Sequence, residues 1–286
     1  MITYKKLKLN NKVVFTDLDG TLLNNNHKLS SVNRQTLTKL GNNGINRVVI
    51  TGRSLASASG VVGSDFPIDI LVTSSGAGIY NFPEKRLLRK VVMDKNRVQK
   101  YIELLKKMDL DFMVHFPVPN NHLFSWHRSL RKNSDFDRRL KTYRGQHSPL
   151  QKDINQVGEA TQLLVICPQD ENSQIQLSLQ QSLSDSSIIR TTSPLDNLSI
   201  WYEIFPHGIS KSSSAAWLCK QFDLDPKNAL AIGNDYNDKD LLNWCKFSRI
   251  VANAPSSLKK QFTIVPDNHN NGFSQAVEEW LDHLKK

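Results

Sequence analysis

Three short apolar runs that each stop at a polar loop constrain this chain most. KVVFT (12–16) ends at DLDGTL, RVVIT (47–51) ends at GRS, and IDILVTSS (68–75) ends at Gly76. Runs of this length, rich in Val and Ile and without apolar-polar alternation, read as strands buried on both faces. Between the first two, Val32, Leu37 and Leu40 recur at loosely helical spacing, with Ser30 or Ser31 as N-cap and Gly41 as stop. After the second, TGRS leads into a helical stretch rich in Ala and Ser. Strands alternating with helices predict a doubly wound α/β fold, a parallel sheet covered on both faces.

The pattern breaks after Tyr80. From Pro83 to Arg190 the chain carries its own helix at Asn96–Met108, strands at Phe112–Phe116 and Gln162–Ile166, and a helix at Asn172–Leu183. SIWYEIF (199–205) then resumes the first sheet, followed by a helix at Lys211–Gln221, strand ALAIG, a helix at Lys239–Trp244 and strand RIVAN. We therefore expect an α/β core of residues 1–83 and 191–286, with an α+β domain of residues 84–190 inserted in one of its loops.

With 39% hydrophobic and 22% charged residues the chain falls among globular proteins. Its three cysteines, Cys167, Cys219 and Cys245, have no CxxC spacing, and its eight histidines have no HxH or HExxH spacing. We expect no zinc site and a reducing compartment. No apolar run reaches the roughly 18 to 20 residues of a membrane span, and MITYKKLKLN lacks the apolar segment of a secretory signal. The expectation is a cytoplasmic protein without a membrane partner; monomer and dimer both remain open. The net charge of +10 suits a phosphorylated substrate, nucleic acid or an anionic surface about equally.

Chemistry concentrates at the strand ends. Asp17 and Asp19 stand two residues apart just past the first strand, and Gly20 permits the turn that follows. Loops at the carboxyl ends of strands are where open α/β sheets bind ligands. Thr51 ends the second strand with a hydroxyl, and Lys211 opens a helix where free backbone N–H groups favour an anion. In GNDYND, after strand ALAIG, Asn234, Asp235, Asn237 and Asp238 offer oxygens to a hard cation.

DLDGTL, TGR, the Ser210–Lys211 pair and GNDYND, in this order and with this insertion, resemble the haloacid dehalogenase superfamily. SSGAGIY before the insertion and IVANAP near the end resemble its branch with a type IIB cap, the Cof-type phosphatases. The resemblance implies Mg2+-dependent hydrolysis of a small phosphorylated metabolite, a sugar phosphate above all, through an aspartyl-phosphate. Asp17 then matches the nucleophile and Asp19 the general acid and base. Thr51 and Lys211 match the groups that hold phosphate, with Gly52, Arg53 and Asn237 beside them. Asp17, the backbone carbonyl of Asp19, and Asp238 match the surroundings of Mg2+. The family's fourth motif commonly reads GDxxND, so Asn234 stands where an acid is usual: either its amide oxygen binds the metal or the adjacent Asp235 does. Arg53 either reaches the substrate or caps neighbouring carbonyls, and Asn253, in VANAP, resembles the family's loop beside the site but is read as a plain turn residue.

Two rival readings accompany this one. A phosphomutase would return the phosphoryl group to a sugar, and a non-catalytic protein would bind anions or nucleic acid. The segment Trp126–Arg144 interleaves seven Lys or Arg with Trp126, Phe136 and Tyr143. We read it as a solvated face with its aromatics turned inward, and nucleic acid is not expected as a partner. Trp201, Trp217 and Trp244 are read as packing residues of the core.

Overall fold

The computed structural model describes residues 11–82, 84–168 and 172–285; MITYKKLKLN and the boundary at residue 83 lie outside them. In chain order the strands are β1 Val13–Thr16, β2 Asn46–Ile50, β3 Ile70–Thr73, β4 Gly78–Asn81, β5 Arg86–Lys90, β6 Phe112–His115 and β7 Phe124–His127. They continue as β8 His147–Pro149, β9 Gln162–Cys167, β10 Ser186–Thr192, β11 Ile200–Pro206, β12 Ala229–Gly233, β13 Phe247–Val251 and β14 Ile264–Val265.

Among the described residues one sheet has the order β14-β13-β12-β1-β2-β3-β4-β5. Its first six strands run parallel, and β4 is antiparallel to β3. The fold is thus the α/β arrangement with a parallel-sheet core that the strand pattern predicts. Strand order reverses at β1, which has β2 on one side and β12 on the other, with Thr16 opposite both Val49 and Ile232. Residues just past β1, β2 and β12 therefore leave the sheet at one end and at one level, where such sheets bind ligands.

The alternation of side chains along each strand fills both faces. Val13, Phe15, Val48, Ile50, Ala229 and Ala231 pack against Ala215, Leu218, Leu241 and Leu242 of the helices Lys211–Phe222 and Lys239–Trp244. Val14, Val49, Leu71 and Leu230, pointing the other way, are equally buried. This is why the strands read as continuous apolar runs.

Ser30 caps the helix Ser31–Asn42 by accepting from the Asn33 amide at 3.1 Å, a contact worth about 1 kcal/mol. That helix passes through Gly41, the expected stop. The break comes at Gly44, whose φ of 71° lets the Ile45 amide turn back to the Leu40 carbonyl.

The residues group into two compact units: up to Arg53, Ala58–Arg89 and Ser210 onward in one, Ser54–Ser57 and Lys90–Ile209 in the other. The second unit holds a sheet of order β10-β11-β9-β6-β7-β8, antiparallel except for β7 and β8. The helix Lys95–Lys107 contributes to the core on one face of this sheet and the helix Ser134–Thr142 to the core on the other. Here the structure corrects the sequence reading, because SIWYEIF does not resume the first sheet. As β11 it pairs with β10 and β9, and Trp201 packs with Met113 and Phe136 in this second unit. A central strand buried on both faces shows the same unbroken apolar run in either sheet, so composition could not assign it. The basic segment Trp126–Arg144 does turn Phe136 fully inward, with Trp126 and Tyr143 packed beside it.

His115 on β6 is buried, and its Nδ1 donates to the Asn121 carbonyl at 2.8 Å. Burial, with the Arg139 charge adding to it, pushes its pKa down to about 3. The unfolded ring takes up a proton near pH 6.5 and the folded ring does not, so this stability is full above that pH and is lost as pH falls toward 3. Acidification from about pH 6.5 to about pH 5 should cost about 2 kcal/mol through this group. Urea midpoints should show that slope in the native protein and a flatter one in His115→Gln; equal slopes would mean that His115 titrates normally.

Candidate active site

Asp17 is the first residue past β1, and its amide donates to the Ile232 carbonyl of β12 at 2.9 Å, which fixes where its side chain departs. Lys211, the first residue of its helix, reaches it from the third motif. Its Nζ lies 2.6 Å from Asp17 Oδ1 and 2.5 Å from Asp238 Oδ1, and the side chain is wholly buried. The helix start is held by a capping box between Ser210 and Ser213, and by Asp240, which accepts from the Ser212 amide and hydroxyl at 3.0 and 2.7 Å.

Electrostatics follow from this burial. Desolvation pushes the Asp17 carboxyl up, to about 7, against the opposing pull of the Lys211 ammonium. Burial alone would lower Lys211, but Asp17 and Asp238 outweigh it and hold its pKa above the ordinary value. The lysine is therefore a fixed cation.

Asp238 spends both oxygens on the protein. Besides Lys211 on Oδ1, its Oδ2 accepts from the backbone amides of Asn234 at 2.8 Å and Asp235 at 3.0 Å, which shapes the GNDYND turn around it. Asn237 lies in the same turn, within the 3-10 segment Tyr236–Asp238.

Asn234 points the other way. One terminal atom of its amide lies 3.2 Å from Asp17 Oδ2, 3.1 Å from the Asp19 carbonyl oxygen and 3.0 Å from Thr21 Oγ1. The first two neighbours only accept, so in the protein alone the amide nitrogen belongs there. A cation at this corner reverses the choice, because the amide oxygen then joins two other oxygens. Adjacent oxygens of an octahedral Mg2+ shell, with bonds of about 2.1 Å, stand about 3 Å apart. The separations at this corner match that spacing, so the residues present fit Mg2+.

Gly20, with φ 72°, makes the close approach possible: a Cβ there would stand 2.7 Å from the Asn234 amide. The turn is held from outside by Asn253, whose amide donates to the Gly20 carbonyl at 2.8 Å, and which accepts from the amide of buried Asn268 at 3.2 Å. Asn268 in turn donates to the Leu23 carbonyl at 2.9 Å. Asn253 is therefore more than a plain turn residue.

Asp19 faces a different set. Arg53 forks onto it, Nε to Oδ2 and Nη2 to Oδ1, both at 2.6 Å, and His27 Nδ1 lies 3.1 Å from Oδ1. Thr51, buried at the end of β2, accepts from the Arg53 amide at 3.1 Å, so Gly52 sits in a turn closed on the Thr51 hydroxyl. The structure thus brings Asp17, Lys211, Asp238 and Asn234 together, and Asp19 with Arg53 beside them. His27, Thr21 and Asn268 escaped the sequence reading. Only the placement of Thr21 within DLDGTL offered a signal.

Comparisons with known proteins place the chain in a family. The family model for haloacid dehalogenase-like hydrolases matches residues 14–277. The chain is 24% identical over 277 residues to the HMP-PP phosphatase of Klebsiella pneumoniae, covering 95% of this chain and 96% of that protein. It is 21% identical over 273 residues to the 5-amino-6-(5-phospho-D-ribitylamino)uracil phosphatase of Bacillus subtilis, covering 94% and 96%. A solved phosphatase of the haloalkanoate superfamily from Bacteroides thetaiotaomicron superposes with a TM-score of 0.78 at 20% identity, covering 98% of each chain.

Proposed function

The chain belongs to the haloacid dehalogenase-like hydrolases, and from that premise we propose that, as a phosphatase of this family, it hydrolyses phosphomonoesters of small metabolites such as sugar phosphates with Mg2+ bound. The observation that carries the reading is the Asp17 carboxylate at the reversal of strand order, with one oxygen on a buried ammonium and the other at an oxygen-lined corner. A relative that acts on a phosphate carried by a ribityl chain supports the substrate class.

In this reading an Asp17 oxygen attacks phosphorus as the bond to the leaving oxygen breaks, giving a phosphoaspartate. Asp19 delivers a proton to that leaving oxygen and then takes one from the water that cleaves the phosphoaspartate. Thr51, Gly52 and Asn237 hold the phosphoryl oxygens, and Arg53, forked onto Asp19, orients that carboxyl rather than capping carbonyls. Lys211 offsets the repulsion between a carboxylate and a phosphate dianion, since phosphoryl transfer depends chiefly on positioning and charge. Asp238, with its oxygens engaged, keeps Lys211 in place. Asp17, the Asp19 carbonyl and the Asn234 amide oxygen would hold Mg2+, which when bound supplies charge neutralisation at the phosphoryl group. Asp235 contributes its backbone amide to the turn. The inserted unit would serve as the cap that selects the substrate.

Phosphate release should be measured across sugar phosphates, polyol phosphates, HMP-PP and nucleotides, with Mg2+ present or chelated. We expect release from at least one small phosphate, abolished by chelation. An isomerised sugar phosphate without free phosphate would identify a mutase instead, and silence on every compound would contradict the hydrolase reading.

A further inference from the structure

The charge at the oxygen-lined corner is unusually low for a divalent cation. Of the four groups that converge there, Asp17 is the one carboxylate; the Asp19 carbonyl, the Asn234 amide and the Thr21 hydroxyl are neutral. Asp17 also shares its other oxygen with Lys211 at 2.6 Å, so part of its charge is already answered. Asp238 adds nothing directly, because Lys211 and two backbone amides take both its oxygens. Asp19 is likewise neutralised by the Arg53 fork.

We propose that Asn234 makes cation binding conditional on phosphate: the protein alone holds Mg2+ weakly, and the phosphoryl oxygens of a bound ligand supply the charge that an acid at position 234 would otherwise provide. The inference rests on the reading of this corner as the Mg2+ site. Mg2+ is commonly held by one or two carboxylates together with substrate phosphate, and affinity at oxygen sites follows the number of charged ligands. Cation and phosphate then raise each other's affinity by the same factor, as linkage requires.

The test is calorimetric titration of Mg2+ into the full chain, alone and with saturating inorganic phosphate, for the native protein, Asn234→Asp and Asp235→Asn. The native protein should bind Mg2+ at least about tenfold more tightly with phosphate present, within the usual range of coupling between sites. Asn234→Asp should bind Mg2+ about tenfold more tightly than native without phosphate, and its gain from phosphate should shrink. Asp235→Asn should behave as native. The proposal is overturned if phosphate leaves native Mg2+ affinity unchanged, if Asn234→Asp stays within about twofold of native, or if Asp235→Asn alone weakens binding. Mg2+ bound with any of those three results leaves the phosphatase reading standing. No Mg2+ binding by any protein under either condition removes the metal-dependent reading as well.

Discussion

Asp17→Asn should abolish phosphate release, lowering kcat by about a thousandfold or more, while making the metal-free protein more stable above neutral pH. The two effects have one origin. A nucleophile must be ionised, yet burial opposes the charge and raises the Asp17 pKa from 3.8 to about 7. Because the folded value lies above the unfolded one, the stability linked to this group is full below pH 3.8 and is lost as pH rises through about 7. Above that pH the native protein carries a penalty of a few kcal/mol that the neutral amide avoids. In chelator at about pH 8 the variant should therefore melt higher than native by roughly 5 °C, and near pH 4 the difference should vanish. A Tm that drops at every pH would mean that the Asp17 charge stabilises the fold instead.

Lys211→Met should show the opposite stability effect. Removing the ammonium leaves Asp17 and Asp238 buried with no cation between them. Breaking a buried ion pair by deleting one partner typically costs about 3 to 5 kcal/mol, which for a chain of this size lowers Tm by roughly 5 to 8 °C. The loss should deepen as pH rises, since the stranded Asp17 carboxyl, already raised by burial, escapes at lower pH by taking up a proton. Adding Asp238→Asn should recover part of the stability, whereas activity should stay lost in both variants. Thermal melts of the single and double variants measure this directly; a Lys211→Met protein as stable as native would show that the ammonium contributes no net stability.

Much of the site was legible because the chemistry sits at chain positions that the strand pattern itself marks. DLDGTL, Thr51 and GNDYND each begin where an apolar run stops, and parallel neighbours around β1 bring those ends level. The supporting contacts were not legible. Asn253 and Asn268 reach the DLDGTL loop from more than two hundred residues away, and His27 meets Asp19 from an irregular loop. No periodicity records such contacts. Likewise, β11 shows the composition of a central strand but not which sheet it is central to, and Gly41 looked like a helix stop although the left-handed turn lies at Gly44.

In the proposed reaction Asp17 itself carries the phosphoryl group during turnover. Acid-quenching the enzyme while it hydrolyses its best substrate, then analysing its peptides by mass spectrometry, tests this most directly. A phosphoryl adduct is expected on the peptide containing Asp17 in the native protein and none in Asp17→Asn. Steady phosphate release with no adduct, and with Asp17→Asn still active, would contradict it.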